Sequence, residues 1–158
     1  MYKAKKLLVA IDFSPESRLA LEWAIMLGKK ERGASITLCH VLSNVIAPMG
    51  PEGAFDYFNA MDILEKSAKK QLAKIQGQIP KTIRSSWVLK RGNVAAEIEQ
   101  LCRREGFDLV VMTTHGRQGL SHMLQGSASE ETVRLAPCPV LVLHMNTLIK
   151  KIAHTTKA

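Results

Sequence analysis

The chain has 158 residues, 46% hydrophobic and 23% charged, with a formal net charge of +8 at pH 7; this length fits one domain, and the composition excludes disordered, collagen-like and disulfide-stapled proteins. The charge does not by itself make a nucleic-acid binder, because Lys3, Lys5, Lys6, Lys150, Lys151 and Lys157 lie at the ends and residues 7–149 carry 16 basic against 14 acidic side chains. Basic arms can hold polyanions through screened attraction or serve solubility alone; solubility is the expected role, and nucleic acid is not the expected partner.

The run Leu7-Leu8-Val9-Ala10-Ile11 is continuously apolar, not alternating, the pattern of a strand covered on both faces in a parallel sheet. Asp12 cuts it off well short of the roughly 7–15 apolar residues of a signal-peptide core. No later stretch approaches the roughly 18 needed to span a membrane, so the expected location is the cytoplasm. Ser14-Pro15 predicts a helix start, because Ser caps free N–H groups and Pro at the first helical position gives up a donor that had no partner. Leu19, Ala20, Trp23, Ala24 and Leu27 continue at helical spacing, and Gly33 offers a left-handed stop.

The same unit recurs. A strand is expected at Ile36–Leu42, then a longer loop at residues 43–54 with Pro48, Gly50, Pro51 and Gly53, read as a lid or a flexible insertion. A helix from about Asp56 to Ile75 and a strand at Ile83–Leu89 follow. Gly92-Asn93 turns into a helix carrying Ala95, Ile98, Leu101 and Cys102 on one side, which Gly106 ends, and Leu109–Met112 makes the fourth strand. A last helix, about Ser127–Leu135, precedes Val140-Leu141-Val142-Leu143, with Pro137 and Pro139 before it. Five strands alternating with four helices predict a five-stranded parallel open sheet, doubly wound, over residues 1–144, and a basic tail at 145–158. Cys39, Cys102 and Cys138 have no CxxC spacing and fall in or beside apolar segments, which suits reduced, packed thiols. Trp23 and Trp87 lie on apolar faces and are expected in the core.

In such a sheet the ligand crevice lies beyond the carboxyl ends of the strands. After the fourth strand come Thr113-Thr114-His115-Gly116-Arg117-Gln118-Gly119, then Gly126-Ser127 opening a helix. Glycines admit a ligand close to the backbone, and free N–H groups at a helix start favour an anion, with phosphate the natural guest. Thr114 and Ser127 offer hydroxyls and Arg117 a planar cation; His115 either donates to a phosphate or satisfies local backbone groups. The loop alone fits a tight turn equally well, and neither a GxxxxGK[ST] loop nor a GxGxxG after the first strand is present. Asp12 is either a ligand contact or a turn residue. His40, His122, His144 and His154 are scattered and are read as structural. No base, nucleophile or metal constellation stands out, which favours binding over dedicated catalysis.

Thr114-His115-Gly116, nine residues, Gly126-Ser127, and the ending Ala136-Pro137-Cys138-Pro139-Val140-Leu141-Val142 closely resemble the nucleotide loop and last strand of universal stress proteins. Leu8-Val9-Ala10-Ile11-Asp12-Phe13-Ser14 and His40-Val41 resemble the ends of that family's first two strands, so the resemblance spans about residues 4–144. It implies a Rossmann-like fold of the adenine nucleotide alpha hydrolase type, binding ATP with Mg2+. Ala10, Asp12, Val41 and Met112 would border adenine and ribose; Gly116, Gly126, Ser127 and the Ala128 backbone would meet the phosphates. The family's G-x-x-G, nine residues, G-[ST] pattern begins here with Thr113 in place of its first glycine, which either is tolerated or lowers affinity. The resemblance further implies a homodimer through Val140–His144 and, at most, slow Mg2+-dependent ATP hydrolysis. Its function would be that of an ATP-binding stress-response regulator or, with the site lost, a nucleotide-free homodimeric interaction module whose protein partner the sequence does not identify.

Overall fold

The computed structural model describes residues 3–43, 51–114 and 128–144, with the backbone alone for 51–56. Five strands, β1 (Lys6–Ala10), β2 (Ser35–Leu42), β3 (Arg84–Arg91), β4 (Leu109–Thr113) and β5 (Val140–Leu143), alternate with four helices, α1 (Pro15–Lys30), α2 (Pro51–Gln76), α3 (Val94–Glu105) and α4 (Ala128–Leu135). All strand pairs are parallel, in the order β3-β2-β1-β4-β5. From β1 the chain winds outward through β2 to β3, then crosses back to β4 beside β1, which makes the sheet doubly wound as expected.

Covering both faces explains why β1 is apolar without a break. Leu7, Val9, Ile36, Leu38 and Val111 pack with Ala20, Leu21 and Ala24 of α1 and Leu72 of α2; on the other face Leu8, Cys39 and Val110 pack with Ile98, Leu101 and Cys102 of α3. Leu7, Leu8, Val9, Ile36 and Leu38 are fully buried, each stabilising the fold by roughly 1.5–3 kcal/mol. Trp23 and Trp87 are half-buried against the first of these cores.

Local signals set most of the boundaries. Ser14 accepts from the Ser17 amide at 3.2 Å and Pro15 is the first helical residue; Asn93 accepts from the Ala96 amide at 2.9 Å, and Gly106 closes α3 at φ 65°. Two expectations need correction. α1 ends at Lys30, before Gly33, whose φ of 82° serves the turn into β2. α2 begins at Pro51, so the end of the expected 43–54 loop is helical: Pro51 is a helix opener here.

Candidate nucleotide site

The carboxyl ends of β1, β2 and β4 meet the first turns of α3 and α4 around a cleft of about 200 Å³. The cleft lies where the winding reverses between β1 and β4, the position at which two neighbouring strands send their chains in opposite directions and leave a crevice. Six residues singled out from sequence line it: Ala10, Asp12, Val41, Met112, Thr113 and Ala128. Thr114 is not in the lining; its amide donates to the Leu143 carbonyl at 3.1 Å and its hydroxyl lies 3.1 Å from His144 Nδ1. His115, Gly116, Arg117, Gly126 and Ser127 lie outside the described residues.

The walls are largely apolar. Ala10 and Val41 come from the sheet, Val94 and Ile98 from α3, and Met112 from β4. Asp12 is the exposed acid at the rim. Its Oδ1 accepts from the Ser14 amide at 3.0 Å and from Ser14 Oγ at 2.5 Å, so Asp12 shapes the turn that caps α1, as one of its two sequence readings had it, and it also borders the cleft. Between them Phe13 has φ 63°, the only positive value among described non-glycine residues, a conformation costing about 1–3 kcal/mol.

His40, which the sequence suggested was structural, also lines the cleft. Its Nδ1 lies 2.6 Å from the Ile11 carbonyl; a carbonyl only accepts, so Nδ1 carries the proton and Nε2 is the acceptor. Burial pushes its pKa below the ordinary value, opposed by that hydrogen bond and by the charge of Asp12. The signal available beforehand was its place at the carboxyl end of the strand next to β1. Cys39 also borders the cleft, and burial pushes its thiol up to about 12, an inert packed group. Cys102 is buried and likewise raised to about 12, and Cys138 is half-buried beside it.

The two helix starts are tied together: Asn93 Nδ2 donates to Glu131 Oε2 at 3.3 Å, joining the cap of α3 to the first turn of α4. Apolar walls with one carboxylate among the described lining residues suit a flat, largely apolar group that carries a hydrogen-bond donor. The volume is below the roughly 300–1,000 Å³ of pockets that enclose a drug-sized ligand. Among the described residues no group of three or more His, Cys, Asp or Glu side chains could hold a metal ion, and no helix is long and apolar enough to cross a membrane.

Comparison with known proteins agrees with this architecture. A model of the universal stress protein family matches residues 3–144. The universal stress protein YxiE of Bacillus subtilis is 29% identical over 145 residues, covering 87% of this chain and 97% of that protein. UspA of Lactobacillus plantarum has a solved structure that superimposes with a TM-score of 0.76 at 20% identity, covering 89% of this chain and 98% of that one. A family protein of Arabidopsis thaliana, solved with AMP bound, gives a TM-score of 0.59 at 23% identity, over 88% of this chain and 90% of that one.

Proposed function

This chain belongs to the universal stress protein family, and from that premise we propose that the cleft at the ends of β1, β2 and β4 binds an adenine nucleotide, with ATP and its Mg2+ as the physiological ligand. The observation that carries the reading is the convergence of Ala10, Asp12, Val41, Met112, Thr113 and Ala128, from four separated segments, on one small apolar cleft with one rim carboxylate among its described residues. The AMP held by the Arabidopsis relative supports the same ligand class. Base and ribose occupy the walls, and the phosphates pass Ala128 toward Gly116, Gly126 and Ser127. Mg2+ arrives on the phosphates, since among the described residues the cleft lining brings one carboxylate, Asp12.

The function is regulatory binding within one domain over residues 1–144, with a basic tail at 145–158, in the cytoplasm; any hydrolysis is slow and Mg2+-dependent. The protein acts as a homodimer through Val140–His144. β5 is the sheet edge, and Val140, Leu141 and Val142 are only half-buried there; an apolar edge strand is a liability that self-pairing covers. Thr113 favours a second reading, a nucleotide-free interaction module, because its β-branched side chain lines the cleft where the family pattern has glycine.

Calorimetric titration of the purified protein with Mg-ATP and with AMP separates the two. Saturable binding of about one nucleotide per chain is expected; no heat from either at millimolar concentration overturns the nucleotide reading and leaves the interaction module.

A further inference from the structure

A phenylalanine in the left-handed region must be held there, because its Cβ opposes that conformation. One side chain grips both neighbours of Asp12. The His40 ring lies 4.2 Å from the Phe13 ring, tilted by 37°, and its Nδ1–H donates to the Ile11 carbonyl at 2.6 Å. The Ile11 amide is itself fastened to the Cys39 carbonyl at 2.8 Å, one residue before His40. The turn Ile11-Asp12-Phe13 is therefore clamped to the end of β2 at both sides of the carboxylate, while Ser14 holds Oδ1 from the front.

From this clamp we infer that His40 is a positioning residue for the cleft: by holding Phe13 in its left-handed conformation and the Ile11 carbonyl in place, it sets the aim of the Asp12 carboxylate at the ligand. The inference rests on the nucleotide reading above and deepens it. A donor at the Nδ1 position is what the clamp requires. Asparagine can supply one, because its Nδ2–H2 occupies nearly the same place on the side chain, whereas leucine fills similar space with no donor.

The experiment has a ligand-free arm and a binding arm, on the full chain. Amide hydrogen exchange followed by NMR reads the Ser14 N–H, which is bonded to Asp12, against the Val110 and Val111 amides of the central strand β4. His40→Leu is expected to lower Ser14 protection about tenfold, leave β4 protected, and weaken AMP about tenfold, the loss of one well-placed hydrogen bond. His40→Asn is expected to restore both to within about threefold of wild type. Unchanged Ser14 protection in His40→Leu overturns the inference, as does unchanged AMP affinity. Loss of β4 protection as well overturns it in favour of general structural support. An affinity loss that His40→Asn does not recover overturns it in favour of direct ligand contact by the imidazole. If the wild-type protein binds neither AMP nor Mg-ATP, the nucleotide reading fails and takes this inference with it, a failure recognisable before any substitution is made.

Discussion

The two ends of the sheet differ in the opposite sense from their volumes. At the amino end a groove of about 880 Å³ runs along the starts of β1, β2 and β3 beside the end of α3, lined by Lys5, Thr37, Arg84, Ser86 and Phe107 among others; at the carboxyl end the cleft is about 200 Å³. In the larger hollow many polar groups are already paired to neighbours. The amides of Lys5 and Lys6 donate to Asp108 Oδ2 at 2.9 and 2.7 Å, the Lys6 ammonium donates to the Glu105 carbonyl, and the hydroxyls of Thr37 and Ser86 lie 3.0 Å apart. The smaller hollow has an imidazole with a fixed tautomer and two helix starts in its lining, and the positive-φ Phe13 directly follows its rim residue Asp12. Strain is retained where the surroundings over-determine it, and such places tend to be functional. Size reports an open sheet face; converging strand ends and a held turn are what support the proposed site.

Filling each hollow with the same side chain tests that contrast most severely. Ala10→Phe places a ring in the cleft from β1, and adenine nucleotide affinity is expected to fall about 100-fold or more, since a cleft of this size has no second place for the base. Ser86→Phe, on the exposed face of the amino-end groove, is expected to leave affinity within about twofold. Equal losses in calorimetric titrations of both variants would break the comparison. On stability the contrast narrows. Ser14 is buried and caps α1 while donating to Asp12, so Ser14→Ala is expected to cost about 1 kcal/mol, a Tm lower by roughly 2–4 °C. Arg84→Ser, at an exposed groove position, is expected to stay within about 0.5 kcal/mol. Thermal melts check both, and a larger loss from Arg84→Ser would reverse the ranking of the two ends.

The same contrast explains what the sequence could disclose. The strands were legible because burial on both faces leaves an unbroken apolar run, as in Leu7-Leu8-Val9-Ala10, and the caps because Ser14-Pro15, Asn93 and Gly106 act on their own neighbours. Six cleft residues were legible because they lie at strand ends and at a helix start, places that resemblance and fold rules both mark. The left-handed Phe13 was not: phenylalanine carries no signal for positive φ, and the conformation depends on a partner 27 positions away in β2. The contacts of His40 were not legible for the same reason, since a lone histidine gives no hint that its ring will meet Phe13 and the Ile11 carbonyl once β1 and β2 pair. The start of α2 was misplaced because Pro51 suits a loop and a first helical turn equally well. Of the phosphate-loop candidates, His115, Gly116, Arg117, Gly126 and Ser127 stand on sequence alone.

The gentlest discriminator is acidity, because the groove lining contains no histidine among the described residues while the cleft contains His40. Burial lowers the His40 pKa beneath its ordinary value of 6.5, so the unfolded chain takes up its proton first as the pH falls. Within that window the unfolded state binds more protons than the native state, and stability rises with pH. The stabilisation is therefore complete above 6.5, declines as the pH drops below it, and is lost once the pH has passed through the lower folded value. His40→Asn removes the titrating group while keeping a donor for the Ile11 carbonyl. Thermal melts at pH 7.5, 6.5, 5.5 and 4.5 are expected to show a shallower decline in Tm for His40→Asn than for wild type, with the two curves diverging only below 6.5. Parallel curves would mean that the imidazole is as well solvated in the folded turn as in the unfolded chain, and the carboxyl end would then lose the titrating feature that distinguishes it from the groove.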